Sequence, residues 1–257
     1  MTTKVILTIL LLAGRFSTAS LCSAQQSRVY TFPINNANRK EFGYECPKHG
    51  GPGIGPCSLA IHDGMAFIVD NYHDNVKKIC LSTGRILATT LPSGGEHKRW
   101  FCDVVVTDDH VLVSTDLDYL YVFDMSLRQI DSLQIPRGTQ YFDWKSDTLL
   151  LLDTPMRLQD QHSYTVSVVN GKVTLKKCDT AIHTTSFFVT TAHGKAYSVN
   201  RERDSWVLRK DHSNIVISRR IPRIGCYDAI NLDFDRRHVV FFDVSGKRMG
   251  LYVVDCP

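Results

Sequence analysis

Five polar residues recur at nearly constant spacing along this chain: Ser58, Asp103, Asp143, Ser186 and Asp228, separated by 45, 40, 43 and 42 residues. Three carboxylates gathered at one place repel one another unless a cation or several hydrogen-bond donors stand among them. Two chemistries follow. In the first, Asp103, Asp143 and Asp228 hold one divalent cation, calcium or zinc, for a metal-assisted hydrolase or lyase. In the second, each Asp accepts backbone N–H bonds and ties one repeat to the next, the usual service of a repeated position in a repeat fold. The residues just before them are Cys57, Cys102, Phe142, Thr185 and Tyr227.

Cys46, His49 and Cys57 form a second group, Cys-x2-His-x7-Cys in a glycine-rich stretch. Thiolate and imidazole at this spacing could bind zinc or copper. A Cys46–Cys57 disulfide explains the same residues more simply in an oxidising compartment, and is the expectation. A third group is His97-Lys98-Arg99-Trp100, in which an exposed Trp beside Arg has the composition of a binding hot spot. The competing reading packs Trp100 down between the first two repeats. The remaining histidines, His73 among them, fall at turns with no repeating partner and read as solvated. No Ser/His/Asp motif, nucleophile elbow or phosphate loop occurs, so no residue is assigned as catalytic.

The elements that must position these residues are short strands. Met65–Asp70, His110–Asp116, Thr148–Asp153, Lys195–Asn200 and His238–Asp243 are apolar runs ending in a polar turn, with final residues 46, 37, 47 and 43 apart. One further run precedes each, and two more follow, as Tyr119–Met125 and Gln129–Ile135 do in the second unit. Four strands per repeat of this length is the pattern of a β-propeller blade, because a lone four-stranded meander cannot bury both of its faces. The fifth unit ends after its third strand, Gly250–Asp255, and the missing strand stands at the other end as Ser27–Pro33. The expectation is an all-β, five-bladed propeller of four-stranded antiparallel blades. It is closed by Val29–Phe32 lying alongside Leu251–Val254, and residues 25–257 make one domain.

Pro56–Leu87 reads PCSLAIHDGMAFIVDNYHDNVKKICLSTGRIL. It resembles an NHL-type repeat: Pro and a small residue, a strand, Asp-Gly, a strand ending in Asp, Asn-x-Val, a strand, Thr-Gly and a last strand. The resemblance implies a propeller of the NHL and YWTD kind, used mostly as a binding platform. Enzymes among the six-bladed relatives of that kind use channel-lining Glu and Asn/Asp around a metal. Here Glu41, Glu45, Glu96 and Glu202 read as lying outside strands, which counts against catalysis.

Residues 1–24 have the form of a secretory signal: Lys4, an apolar run over Val5–Ala13, and Cys22-Ser23-Ala24 before Gln25. Nine apolar residues are too few to span a bilayer, so a secreted or periplasmic protein without a membrane span is expected. Without that segment 28 basic residues face 26 acidic ones. So even a balance argues against nucleic acid, whose phosphates select a clear basic excess. Seven cysteines remain, an odd number. The partner class expected is a protein, peptide or glycan, met through Ser58, Asp103, Asp143, Ser186, Asp228, Tyr227, Arg99 and Trp100, with no resident cofactor.

Overall fold

The computed structural model describes residues 27–46, 53–90, 100–145, 148–153, 162–178, 188–190, 196–202, 205–210, 213–218, 232–234, 237–245 and 247–255. Twenty strands and no helix occur among them, so no helix is long and apolar enough to cross a membrane. They form five four-stranded antiparallel sheets. The first holds β2 (Pro56–His62), β3 (Met65–Asp70), β4 (Asn75–Cys80) and β5 (Ile86–Thr90). The second holds β6 (Phe101–Val106), β7 (His110–Thr115), β8 (Tyr119–Asp124) and β9 (Gln129–Gln134). In the third are β10 (Thr139–Lys145), β11 (Thr148–Asp153), β12 (Ser163–Val169) and β13 (Lys172–Lys177). The fourth comprises β14 (Phe188–Thr190), β15 (Ala196–Glu202), β16 (Ser205–Lys210) and β17 (Ser213–Ser218). The fifth is discontinuous in sequence: β18 (Leu232–Phe234), β19 (His238–Ser245), β20 (Arg248–Asp255) and then β1 (Ser27–Pro33).

The expected joining of the two ends of the chain is present, with a register shift of two. Val29–Phe32 lies against Met249–Tyr252, Tyr30 opposite Leu251 and Phe32 opposite Met249. Arg28 reaches Asp255 at 2.7 Å, and Tyr30 Oη donates to Leu81 O, also at 2.7 Å, so β1 holds on to the first sheet as well. Glu202, expected outside strands, is instead the last residue of β15.

Hairpin chemistry explains the local geometry. Asp63-Gly64 and Asn170-Gly171 each link two strands with both residues at positive φ, the backbone a two-residue hairpin needs. Between the turns, side chains of the second strands β3, β7 and β19 alternate between two buried faces. Ala66 and Ile68 of β3 pack toward Val240, Phe242 and Leu251 of the fifth sheet. Phe67 and Val69 point the other way, onto Val104, Val111 and Val113 of the second. Leu112 of β7 then continues to Leu149 and Leu151 of the third. Near-continuous apolar runs are what a strand covered on both faces requires.

The Cys46–Cys57 disulfide is a correction. All five described cysteines, Cys46, Cys57, Cys80, Cys102 and Cys178, are free thiols. Cys46 is exposed, whereas Cys57 packs against the core between the first two sheets and donates to Phe101 O at 3.3 Å. Strict alternation would set Cys57 beside Leu59 and Ile61, toward the fifth sheet; the register irregularity between Pro56 and Ser58 turns it toward the second sheet instead. His49 lies outside the described residues.

Candidate functional site

The first strands of the first three sheets, β2, β6 and β10, are neighbours and begin at the same end of their sheets, where the β3–β4 and β7–β8 turns also lie. Sequence alone places Ser58, Asp103 and Asp143 here. Ser58 Oγ donates to Asp103 Oδ1 at 2.7 Å. The other carboxylate oxygen accepts Phe142 N from the third sheet at 2.9 Å, and Val104 N donates to Oδ1 at 2.9 Å. Asp103 thus joins three sheets, with both oxygens engaged by donors. Asp233 repeats the device, accepting Ile61 N at 2.7 Å across the fifth and first sheets.

Burial holds the Asp103 carboxyl at about 6, against the hydrogen bonds from Phe142, Ser58 and Val104 that favour its charged form; the nearby Asp143 charge adds to the rise. A carboxyl raised in the folded state binds more protons there than in the unfolded chain between pH 4 and 6. Its contribution to stability is therefore full at low pH and is lost as pH rises through 6. Asp103→Asn should flatten the stability profile between pH 4.5 and 7 by at most about 3 kcal/mol. Urea midpoints at pH 4.5, 5.5 and 7 check this; parallel profiles for the two proteins refute it.

Trp100 stands just before β6. Its backbone is pinned to the β7–β8 turn, Trp100 N donating to Asp116 Oδ1 at 3.2 Å and Trp100 O accepting Asp116 N at 2.9 Å. Its side chain remains at the surface, 36% exposed, rather than packing down. Asp118 Oδ1 accepts Gly138 N at 3.1 Å, so the same turn reaches the entry to β10. Desolvation raises Asp116, with Asp118 adding to it. Asp103, Asp116 and Asp118 all act on the thiol of Cys102, which burial and these charges push up to about 12. Arg99, Ser186, Tyr227 and Asp228 lie outside the described residues. Among the described residues no three His, Cys, Asp or Glu side chains converge as metal ligands would.

A buried polar network at the β3–β4 turn escaped sequence reasoning. His73 is not a solvated turn residue: it is 5% exposed, with Nδ1 3.1 Å from Asp70 Oδ2. The same oxygen accepts Gly43 N at 3.0 Å and pairs with Lys77 Nζ at 3.2 Å. Lys77, wholly buried, also donates to Asn75 Oδ1 at 2.6 Å and Arg39 O at 3.2 Å and lies over the Phe42 ring. Desolvation lowers its pKa despite Asp70. His73 Nε2 is buried without a partner. Beside this network Asn71 clamps the next sheet, its side chain accepting Phe101 N at 2.7 Å and donating to Phe101 O at 3.0 Å. The available signal was the polar run Asp70–Asn75 inside an otherwise apolar hairpin.

No protein-family model and no curated protein matches the chain. Among solved structures, it is similar to the computationally designed Ika4 protein, at 11% identity and a TM-score of 0.38, over 67% of this chain and 94% of that one. It is also similar to Kuenenia stuttgartiensis hydrazine synthase, at 11% identity and a TM-score of 0.41, over 72% of this chain and 61% of that one.

Proposed function

We propose that this chain is an exported five-bladed propeller that binds a protein, peptide or glycan at the end where its inner strands begin. One observation carries the binding reading. Seven large hydrophobic residues are exposed among the described residues, and four of them stand at this end: Trp100 at 36%, Leu117 at 44%, Tyr119 at 39% and Tyr141 at 38%. Trp100, Leu117 and Tyr119 flank Asp116 and Asp118 on one turn and its neighbour, which puts flat apolar surface beside carboxylates. Tyr and Trp offer large contact area for little lost side-chain freedom and are the residues on which binding energy concentrates.

The blade reading is supported by the neighbouring of β18, β2, β6, β10 and β14 in that order. Carboxylates stitch successive sheets, and β1 completes the fifth. The NHL-type resemblance of Pro56–Leu87 and the leader pattern of residues 1–24 agree with it. Both oxygens of Asp103 are engaged by donors, which leaves the cation-dependent hydrolase or lyase less support than the binding module.

The test is a screen of the chain against an oligosaccharide array and a displayed peptide library, followed by variants. Trp100→Ala and Tyr119→Ala should each weaken the recovered ligand at least tenfold, about 1.4 kcal/mol or more. Val169→Ala, at the far end of β12, should leave affinity unchanged. Loss of binding in the Val169 variant with none in the other two places the ligand elsewhere.

A further inference from the structure

Cys57 and Cys102 occupy the same place in adjacent sheets. Each is the extra residue of a β-bulge, since pairing along β2–β3 passes from Pro56 to Ser58 and along β6–β7 from Phe101 to Asp103. A bulged residue is freed from the ladder, and its side chain can be aimed anew. The two strands cannot drift apart at this point. Ser58 and Asp103, the next residue of each, are bonded at 2.7 Å, and Asn71 holds both the N–H and the carbonyl of Phe101.

Cys57 Sγ lies 3.3 Å from Phe101 O. A carbonyl oxygen stands roughly 3 Å from the Cα of the following residue, so this sulfur is within about 6 Å of the Cα of Cys102. Cys102 Sγ rests on Trp100 O at 3.7 Å, a weak contact that a χ1 rotation gives up at little cost. The other described cysteines are placed differently. Cys46 is exposed in the segment after β1, Cys178 follows β13, and Cys80 lies at the opposite end of the first sheet, 3.1 Å from the Ser82 hydroxyl.

We propose that Cys57 and Cys102 close into a disulfide that clasps the first sheet to the second beside the exposed Trp100 and Tyr119. The clasp stands whether or not that end binds a ligand. The oxidant is a low-molecular-weight disulfide such as oxidised glutathione. Its S–S bond breaks, the Cys57–Cys102 bond forms through a mixed disulfide, and the two thiol hydrogens leave on the two small thiols released. Thiolate is the attacking species, and burial raises Cys57 well above the ordinary thiol value while Cys102 stands at about 12. Exchange in the folded chain is therefore slow at pH 7 and quickens about tenfold per pH unit up to pH 9.

The experiment oxidises the full chain with oxidised glutathione at pH 9, then denatures it, alkylates the remaining thiols and maps peptides without reduction. The expected result is a linked peptide pair containing Cys57 and Cys102, two fewer alkylated thiols and a higher unfolding midpoint. Cys102→Ser should keep the parent circular dichroism and lose the linked pair. Alkylation of both cysteines after oxidation overturns the proposal, as does a dominant link from Cys57 to Cys46. If the Cys102 variant does not fold, the peptide map of the parent protein decides alone.

Discussion

Asp70→Ala should destabilise the protein by about 3–5 kcal/mol, the loss typical when one partner of a buried ion pair is removed. Lys77 Nζ would keep Asn75 Oδ1, Arg39 O and the Phe42 face, but its positive charge would stay buried with no carboxylate. Gly43 N and Tyr72 N would lose their acceptor, and His73 Nδ1 would join its own Nε2 as a buried atom without a partner. Each such loss costs on the order of 1–3 kcal/mol. Lys77→Met in the Asp70→Ala background should recover part of the loss, because the uncompensated charge disappears and an apolar chain of similar length fills its place. Chemical denaturation of the parent, the two single variants and the double variant measures the coupling. An Asp70→Ala protein within 1 kcal/mol of the parent would show that the network contributes little.

Starting the chain at residue 34 instead of residue 25 should lower stability by more than Phe32→Ala alone, itself about 3–5 kcal/mol for a buried aromatic side chain. Without β1, the long strand β20 becomes an open edge. Phe32 leaves the cluster that it shares with Phe42, Leu59 and Met249, and the bonds of Arg28 to Asp255 and of Tyr30 to Leu81 O are lost. An unprotected apolar edge also invites pairing with another chain, so aggregation should accompany the loss. Urea unfolding and light scattering of the two proteins report both effects. Equal midpoints would mean that the two ends of the chain do not hold the fifth sheet together.

Much of this architecture is legible in the residue order. Met65–Asp70, Thr148–Asp153 and Ser27–Pro33 are strands over the bounds read from sequence, because short continuous or alternating apolar runs cut by polar turns have a local signature. The pairing of the two ends followed from counting strands per repeat. Its register did not, since Val29–Phe32 offers no side-chain pattern that separates Met249–Tyr252 from Leu251–Val254. Ser58 and Asp103 could be brought together because successive four-stranded sheets of similar length convert equal spacing along the chain into proximity between sheets.

Tertiary structure decided what spacing could not encode. Cys46 and Cys57 are only eleven positions apart, yet Cys57 faces Phe101 of the next sheet, so the nearby thiol in sequence is not its neighbour in space. His73 and Lys77 have the composition of an exposed turn, but the segment containing Arg39, Phe42 and Gly43 folds over them and excludes water. Burial of a polar side chain depends on what crosses above it, and that comes from residues some thirty positions away. The chain's own residue order dictates strands, turns and their count, because those depend on neighbours one to four positions apart. Which polar groups meet, and how far water is kept from them, was settled by contacts between sheets.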